Sequence, residues 1–272
     1  MKSITLLFLF IGLTSFSIEK LNDKKNKPTL WIIGDSTVKN GSGKGEDGLW
    51  GWGDFTNLYF DTTKISIQNR ARGGRSSRTY QTEGLWDEVL KNIKPGDFVL
   101  IQFGHNDGGN INDNHRARGT IKGNGDETEE IDNMLTGKHE IVHSFGWYIR
   151  KYIDDTKAKG ATPIVLSLVA RNIWEDGKVL RATDSYTGWS KEAAQNKDAC
   201  FIDLNDLSAS AYEKLGQEFV SNNLFQKDHT HTNKDGAILN AKMIAEGIME
   251  TADCPLKKYI NKSVKKELNT RK

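Results

Sequence analysis

Cysteine is nearly absent: two residues in 272 cannot staple a small disulfide scaffold or build a four-thiolate zinc site. Proline is almost as scarce, with four residues against 26 glycines. That excludes proline-rich linkers and points to many tight turns. Neither sign of charge dominates. Lys and Arg total 38, Asp and Glu 36, for a net charge of +2, so a nucleic-acid binder held by a dense basic field is excluded. No apolar run reaches the ~18–20 residues that span a bilayer, which excludes a multi-span membrane protein and gives no reason to expect stable membrane association. What remains, 36% hydrophobic and 27% charged residues, is the balance of a soluble globular chain long enough to bury its own core.

The first residues read as a targeting signal. Lys2 precedes the apolar stretch Ile4–Leu13, and small residues follow at Ser15 and Ser17, the layout of a secretory signal peptide covering residues 1–17. No cysteine sits at that boundary, so a lipoprotein anchor is not expected. The mature chain, residues 18–272, is then exported to the periplasm or the extracellular space as a single domain. Its core is expected over about residues 29–250, with a basic, solvated tail over residues 256–272. In an oxidising compartment Cys200 and Cys254 either pair or remain as separate thiols.

Five apolar runs recur along the chain: Thr29–Ile33, Ile65–Gln68, Phe98–Phe103, Pro163–Leu168 and Phe201–Leu204. Their continuous apolar character is that of strands buried on both faces, as in a parallel sheet. Helical spacing is visible over Gly84–Asn92, His139–Lys159 and Asp235–Glu250. The alternation predicts a three-layer α/β/α sandwich around a central five-stranded parallel sheet. The polar, turn-rich segment Gly108–Lys138 reads as an insertion after the third strand that rims the site. Within it, Gly125–Glu130 reads as a solvated acidic loop.

In open α/β sheets ligands bind beyond the carboxyl ends of the strands, and four polar clusters fall there. They are Gly34-Asp35-Ser36-Thr37, Asn69 to Arg78, Gly104-His105-Asn106-Asp107, and Asp228-His229-Thr230-His231-Thr232 just before the last helix. Singly, each has an ordinary structural reading as a cap, turn or polar pair. Together and in this order they resemble the sequence blocks of the SGNH, or GDSL-type, hydrolase superfamily, a flavodoxin-like α/β fold. With Gly51-Trp52-Gly53, Ala71 to Ser76 and Phe145-Gly146-Trp147-Tyr148 added, the chain is similar to the rhamnogalacturonan acetylesterase family from roughly Leu30 to Gly247. One departure is Ala170, where relatives are expected to carry proline; it touches a loop near the site.

Ester hydrolysis by serine needs a nucleophile, a base, an orienter and oxyanion donors. Ser36, at a strand end and expected to open a helix, is the candidate nucleophile. A histidine, with its ordinary pKa of roughly 6.5, suits the base. The resemblance assigns that role to His231 rather than to His229, two residues away, and Asp228 would orient the ring. The oxyanion donors would be the backbone N–H groups of Ser36 and Gly74 and the side-chain amide of Asn106. Asp35 is expected to satisfy its own turn, and Asp107 to bond to a neighbouring site loop. No cofactor is called for. The competing reading is a metal site using His105, Asp107, Asp228, His229 and His231, although the spacing matches no common zinc motif.

Trp50 and Trp52 are candidates for stacking on sugar rings, with core packing equally open. Arg75 and Arg78, next to Arg72, are candidates for a carboxylate on the substrate, and Arg171-Asn172 for the rim. The resemblance implies removal of acetyl groups from galacturonate in the rhamnogalacturonan backbone of pectin. The residues by themselves imply only a small-acyl esterase with an acetylated polysaccharide or oligosaccharide as partner. Acetyl xylan or an acetylated oligosaccharide therefore stays an alternative substrate, and a non-catalytic glycan-binding module an alternative function.

Overall fold

The structure, a computed structural model, describes residues 27–270; the signal segment expected over residues 1–17 lies outside them. Among the described residues the strands are β1 (Thr29–Gly34), β2 (Ser66–Asn69), β3 (Phe98–Gln102), β4 (Thr128–Asp132), β5 (His139–His143), β6 (Thr162–Leu166), β7 (Trp174–Glu175), β8 (Lys178–Val179) and β9 (Cys200–Ile202). The α-helices are α1 (Ser77–Thr82), α2 (Leu85–Leu90), α3 (Phe145–Ala158), α4 (Gly188–Gln195), α5 (Leu204–Leu215), α6 (Gln217–Asn223), α7 (Lys234–Glu250) and α8 (Lys262–Thr270). The central sheet has the order β2-β1-β3-β6-β9 with every pair parallel. This is the five-stranded α/β architecture that the strand–helix alternation predicts, in the flavodoxin-like order.

Strand alternation splits the core in two. Leu30, Ile32, Leu100, Ile164 and Leu166 point to one face, where Ile244 and Ile248 of α7 meet them. Trp31, Ile33, Val99, Ile101 and Val165 point to the other, against Trp86 of α2 and Ile149, Tyr152 and Ile153 of α3. Both faces are therefore covered, and each fully buried Leu or Ile contributes ~1.5–3 kcal/mol relative to exposure. Capping fixes where the covering helices begin. Ser144 accepts from the Trp147 N–H at the start of α3, and Asn233 from the Gly236 N–H at the start of α7.

Three expectations change. The helical spacing read from His139 begins only at Phe145; His139–His143 is β5, paired antiparallel with β4. The acidic stretch read as a loop contributes Thr128–Glu130 to β4, still exposed. The basic tail is not merely solvated: Leu256, Ile260 and Val264 are buried in the first core half. Ile260 bridges to Phe60, and the Asn261 side chain donates to the Leu58 carbonyl. Leu256, Ile260 and Val264 lie at spacings of four, so one stripe docks while Lys258, Lys262 and Lys266 stay exposed. Cys200 and Cys254 are free thiols that both belong to the first core half. No helix among the described residues is long and apolar enough to cross a membrane.

Candidate active site

The sheet order reverses at β1, whose neighbours are β2 and β3, and a crevice opens beyond the carboxyl ends of the strands at such a switch point. The turn leaving β1 carries the nucleophile candidate. A Cβ on Gly34 would lie 2.5 Å from the Gln102 carbonyl oxygen, so glycine is needed for β1 to exit this close to β3. The chain then turns rather than opening a helix: Val38 and Lys39 N–H both donate to the Asp35 carbonyl. The expected helix start at Ser36 is thus a tight turn, and no helix terminus stands behind the hydroxyl. Asp35 is fully buried and accepts from the Thr37 N–H at 2.9 Å and the Thr37 hydroxyl at 2.7 Å. Burial pushes its pKa up to about 6 against these hydrogen bonds.

The segment before α7 carries the other partners. One Asp228 oxygen accepts from the backbone N–H groups of Thr230 at 2.6 Å and His231 at 2.7 Å. The other lies 2.7 Å from Nδ1 of the His231 ring. Nε2 of that ring lies 2.8 Å from Ser36 Oγ. Residues separated by nearly the whole domain thus meet at one hydroxyl. Burial opposes ionisation of Asp228, but the hydrogen bonds from the His231 ring and from the two backbone groups outweigh it and bring its pKa down to about 2. His229 is exposed and its carbonyl accepts from Asn172 N–H; the histidine on Ser36 is His231.

Gly74 and Asn106 line the same cleft of about 740 Å3 as Ser36 and His231. Gly74 adopts φ +78°, a left-handed conformation that favours glycine. The Asn106 amide donates one hydrogen to the Arg75 carbonyl at 2.8 Å, which fixes the side chain and leaves its second hydrogen for a ligand. Asp107 is buried and bonds Ser77 N–H and hydroxyl and Gly104 N–H, tying the third block to the segment after Gly74. Burial, with Asp35 nearby, raises its pKa to about 7 against the hydrogen bonds from Ser77. His105 is lowered to about 3 by burial, then by Arg171, His231 and His229, so its ring stays neutral. Among the described residues no three His, Cys, Asp or Glu side chains converge as metal ligands would.

The substrate candidates divide. Arg75 and Arg171 line the cleft, Arg75 with its guanidinium on Glu83 at 2.8 Å. Arg78 does not reach it. It is fully buried, with its fork on Glu140 and its remaining donors on the carbonyls of Ile111, Ala117 and Gly119. Trp52 is also fully buried: its ring N–H donates to Gln102, whose amide donates to the Thr37 hydroxyl. It braces the turn that carries Ser36 and offers no face to a sugar. Trp50 packs on Phe55, with ring centroids 5.1 Å apart, and holds Thr232 through backbone contacts. The Asn172 side chain is spent on Ser221 and Trp174. Arg116, Arg118 and His115 line the cleft instead. They come from the insertion read as a rim, and nothing in the sequence marked these basic residues out from the others.

Fold and site define an ester hydrolase of the SGNH type. The chain belongs to the GDSL-like lipase/acylhydrolase family, whose model matches residues 32–237. It is 33% identical over 244 residues to a rhamnogalacturonan acetylesterase of Emericella nidulans, covering 90% of this chain and 91% of that one. It is 31% identical to the probable rhamnogalacturonan acetylesterase YesY of Bacillus subtilis, over 81% of this chain and 92% of that one. Among solved structures, protein YXIM of Bacillus subtilis superposes with a TM-score of 0.63 at 24% identity over 82% of this chain, which spans 56% of that longer one. The acetylxylan esterase Axe2 of Geobacillus stearothermophilus superposes with a TM-score of 0.55 at 19% identity, over 81% of this chain and 94% of that one. These two structural likenesses speak to the fold alone.

Proposed function

We propose that this ester hydrolase is an exported serine carbohydrate esterase that removes acetyl groups from the rhamnogalacturonan backbone of pectin. The observation that carries the chemistry is the line of contacts from Ser36 Oγ to His231 Nε2 and from His231 Nδ1 to Asp228, 2.8 and 2.7 Å long. The relatives named as rhamnogalacturonan acetylesterases support this substrate. The charge, apolar core and small residues of residues 1–17 support export.

Ser36 Oγ attacks the acetyl carbonyl carbon while His231 Nε2 takes its proton. The negative oxygen is received by the backbone N–H groups of Ser36 and Gly74 and by the free amide hydrogen of Asn106. Collapse breaks the bond to the sugar oxygen, which leaves as a hydroxyl with the proton from His231. A water, deprotonated by the same ring, then attacks the acetyl–Ser36 ester, and acetate leaves as Ser36 Oγ recovers its proton. Asp228 holds the ring in one tautomer and balances its transient charge.

The test is acetate release from acetylated rhamnogalacturonan and from acetylated xylan by wild type and Ser36→Ala. The expected result is faster release from the first substrate and a loss of ~10⁴-fold or more in the variant. Retained activity in Ser36→Ala would remove the nucleophile; equal or faster release from xylan would replace the substrate.

A further inference from the structure

Arg118 and Arg171 stand on a divide. Both line the cleft around Ser36, and both also line a second cavity of about 560 Å3 beside it. The arginines with carboxylate partners are Arg75, Arg78, Arg150 and Arg181. Arg118 and Arg171 have no carboxylate at ion-pair distance among the described residues. Each is instead moored by one donor on a carbonyl of the site's own loops: Arg118 Nη1 on Gly74 at 3.1 Å and Arg171 Nη2 on His105 at 3.3 Å. The Nε of Arg171 is buried without a partner. Among the described residues the acidic side chain lining the cleft is Glu83, and it is already held by Arg75. Asp35 acts on both only from beyond ion-pair distance, and two partly buried guanidinium forks with no carboxylate in contact leave donors that an anion can complete.

The second cavity differs in character from the first. Leu168, Ile173 and Leu180 give it an apolar wall, and the buried Tyr186 hydroxyl in it has no partner. An apolar wall with a free hydroxyl suits a sugar ring, which offers an apolar face and a polar edge. Its continuity with the cleft, across two cationic forks, says which sugar: the next unit of the same chain, joined through a residue that carries a carboxylate. A guanidinium fork matches a carboxylate in a bidentate pair and has no such match on a neutral hydroxyl.

We propose that Arg118 and Arg171 grip the carboxylate of an acidic sugar at this divide, so that a uronate-containing chain runs from Ser36 across the arginines and seats its neighbouring sugar in the second cavity. This rests on the esterase reading for what happens at Ser36, but the binding it describes does not require turnover.

Binding is therefore measured first, by calorimetry on the full chain carrying Ser36→Ala, with a deacetylated, uronate-containing trisaccharide in its free-acid and methyl-esterified forms. The free acid should bind at least ~10-fold tighter, and Arg118→Gln added to Ser36→Ala should remove that preference. Leu180→Asp, at an exposed position of the second cavity, should weaken the free-acid trisaccharide and leave a free-acid monosaccharide unaffected. The active enzyme gives a parallel reading. The ratio of kcat/KM for acetylated free-acid over methyl-esterified oligomers should fall by ~10-fold or more in Arg118→Gln, a ratio in which general damage to catalysis cancels. Equal binding of acid and ester, a preference unchanged by Arg118→Gln, or trisaccharide binding unchanged by Leu180→Asp overturns the proposal even if esterase activity is intact. A wild type inactive on every acetyl ester, with acid-selective binding retained, would instead sink the esterase reading and leave this one standing.

Discussion

Asp228 has two oxygens and uses each for a different purpose. One closes the turn by accepting from Thr230 and His231 N–H, and the other holds the His231 ring. Such residues were legible in the sequence through the resemblance of its four polar blocks to those of the SGNH hydrolases, in which the proposed chemistry gives these residue types a role. Asn106 is similar: a neutral amide is what an oxyanion site wants, and its anchor on the Arg75 carbonyl explains why it can be pre-set. Asn106→Ala should lower kcat by ~10²–10³ with modest change in KM; steady-state kinetics on an acetyl ester checks it, and an unchanged kcat removes Asn106 from the site. Asp35 and Asp107 give a second prediction, about stability. Their folded pKa values of about 6 and about 7 lie above the ordinary 3.8. Across roughly pH 4 to 7 these two groups hold more protons in the folded protein than in the unfolded chain, so their contribution to stability falls as pH rises, by at most ~1.4 kcal/mol per pH unit for each, while His105, kept neutral by burial, contributes in the opposite sense. Denaturant unfolding of wild type and Asp107→Asn across that range should therefore diverge, the variant gaining stability relative to wild type as pH rises; an equal slope in the variant refutes the assignment. What the sequence could not reveal is which arginine faces the cleft. Arg78 and Arg118 are the same residue type in similarly polar surroundings, and only tertiary contacts send one to Glu140 and the other to Gly74.

Local periodicity located the main strands and the body of α3 and α7, and it failed where one pattern fits two structures. Ile141 and Val142 continue the spacing of α3, yet in β5 Val142 is buried and Ile141 exposed, an alternation that two residues are too few to announce. Ser144 was the available signal, a cap that ends the strand and begins the helix. The rim is organised by Arg78. From α1 it reaches three carbonyls between residues 111 and 119 and pairs with Glu140 on β5, so one buried side chain fastens the loop that brings His115, Arg116 and Arg118 to the cleft. The turn itself is closed by the Asp113 carboxylate, which accepts from His115, Arg116 and Ala117 N–H. Arg78→Gln should destabilise the protein by ~3–5 kcal/mol, because it leaves Glu140 without its counter-charge. It should also raise KM for the glycan more than it lowers kcat on a small neutral ester. Denaturation midpoints and the two kinetic constants together check this; a variant as stable as wild type would mean that the staple is not needed.

At the scale of the whole molecule, the five-stranded order β2-β1-β3-β6-β9 puts the Ser36 turn at the switch point and brings the Gly74 and Asn106 segments to it from the neighbouring strands. The tail behind α7 closes the opposite side of the same core half through Leu256, Ile260 and Val264, a role its run of lysines hid from a reading by composition. The central claim is that this convergence makes a nucleophile of Ser36 through His231. The most direct measurement is labelling with a serine-directed fluorophosphonate, mapped by peptide mass spectrometry and timed in wild type and His231→Ala. One phosphonyl group is expected, on the peptide carrying Ser36, formed at least ~10³-fold more slowly without the His231 ring. Labelling at another residue, or an equal rate in His231→Ala, would contradict it.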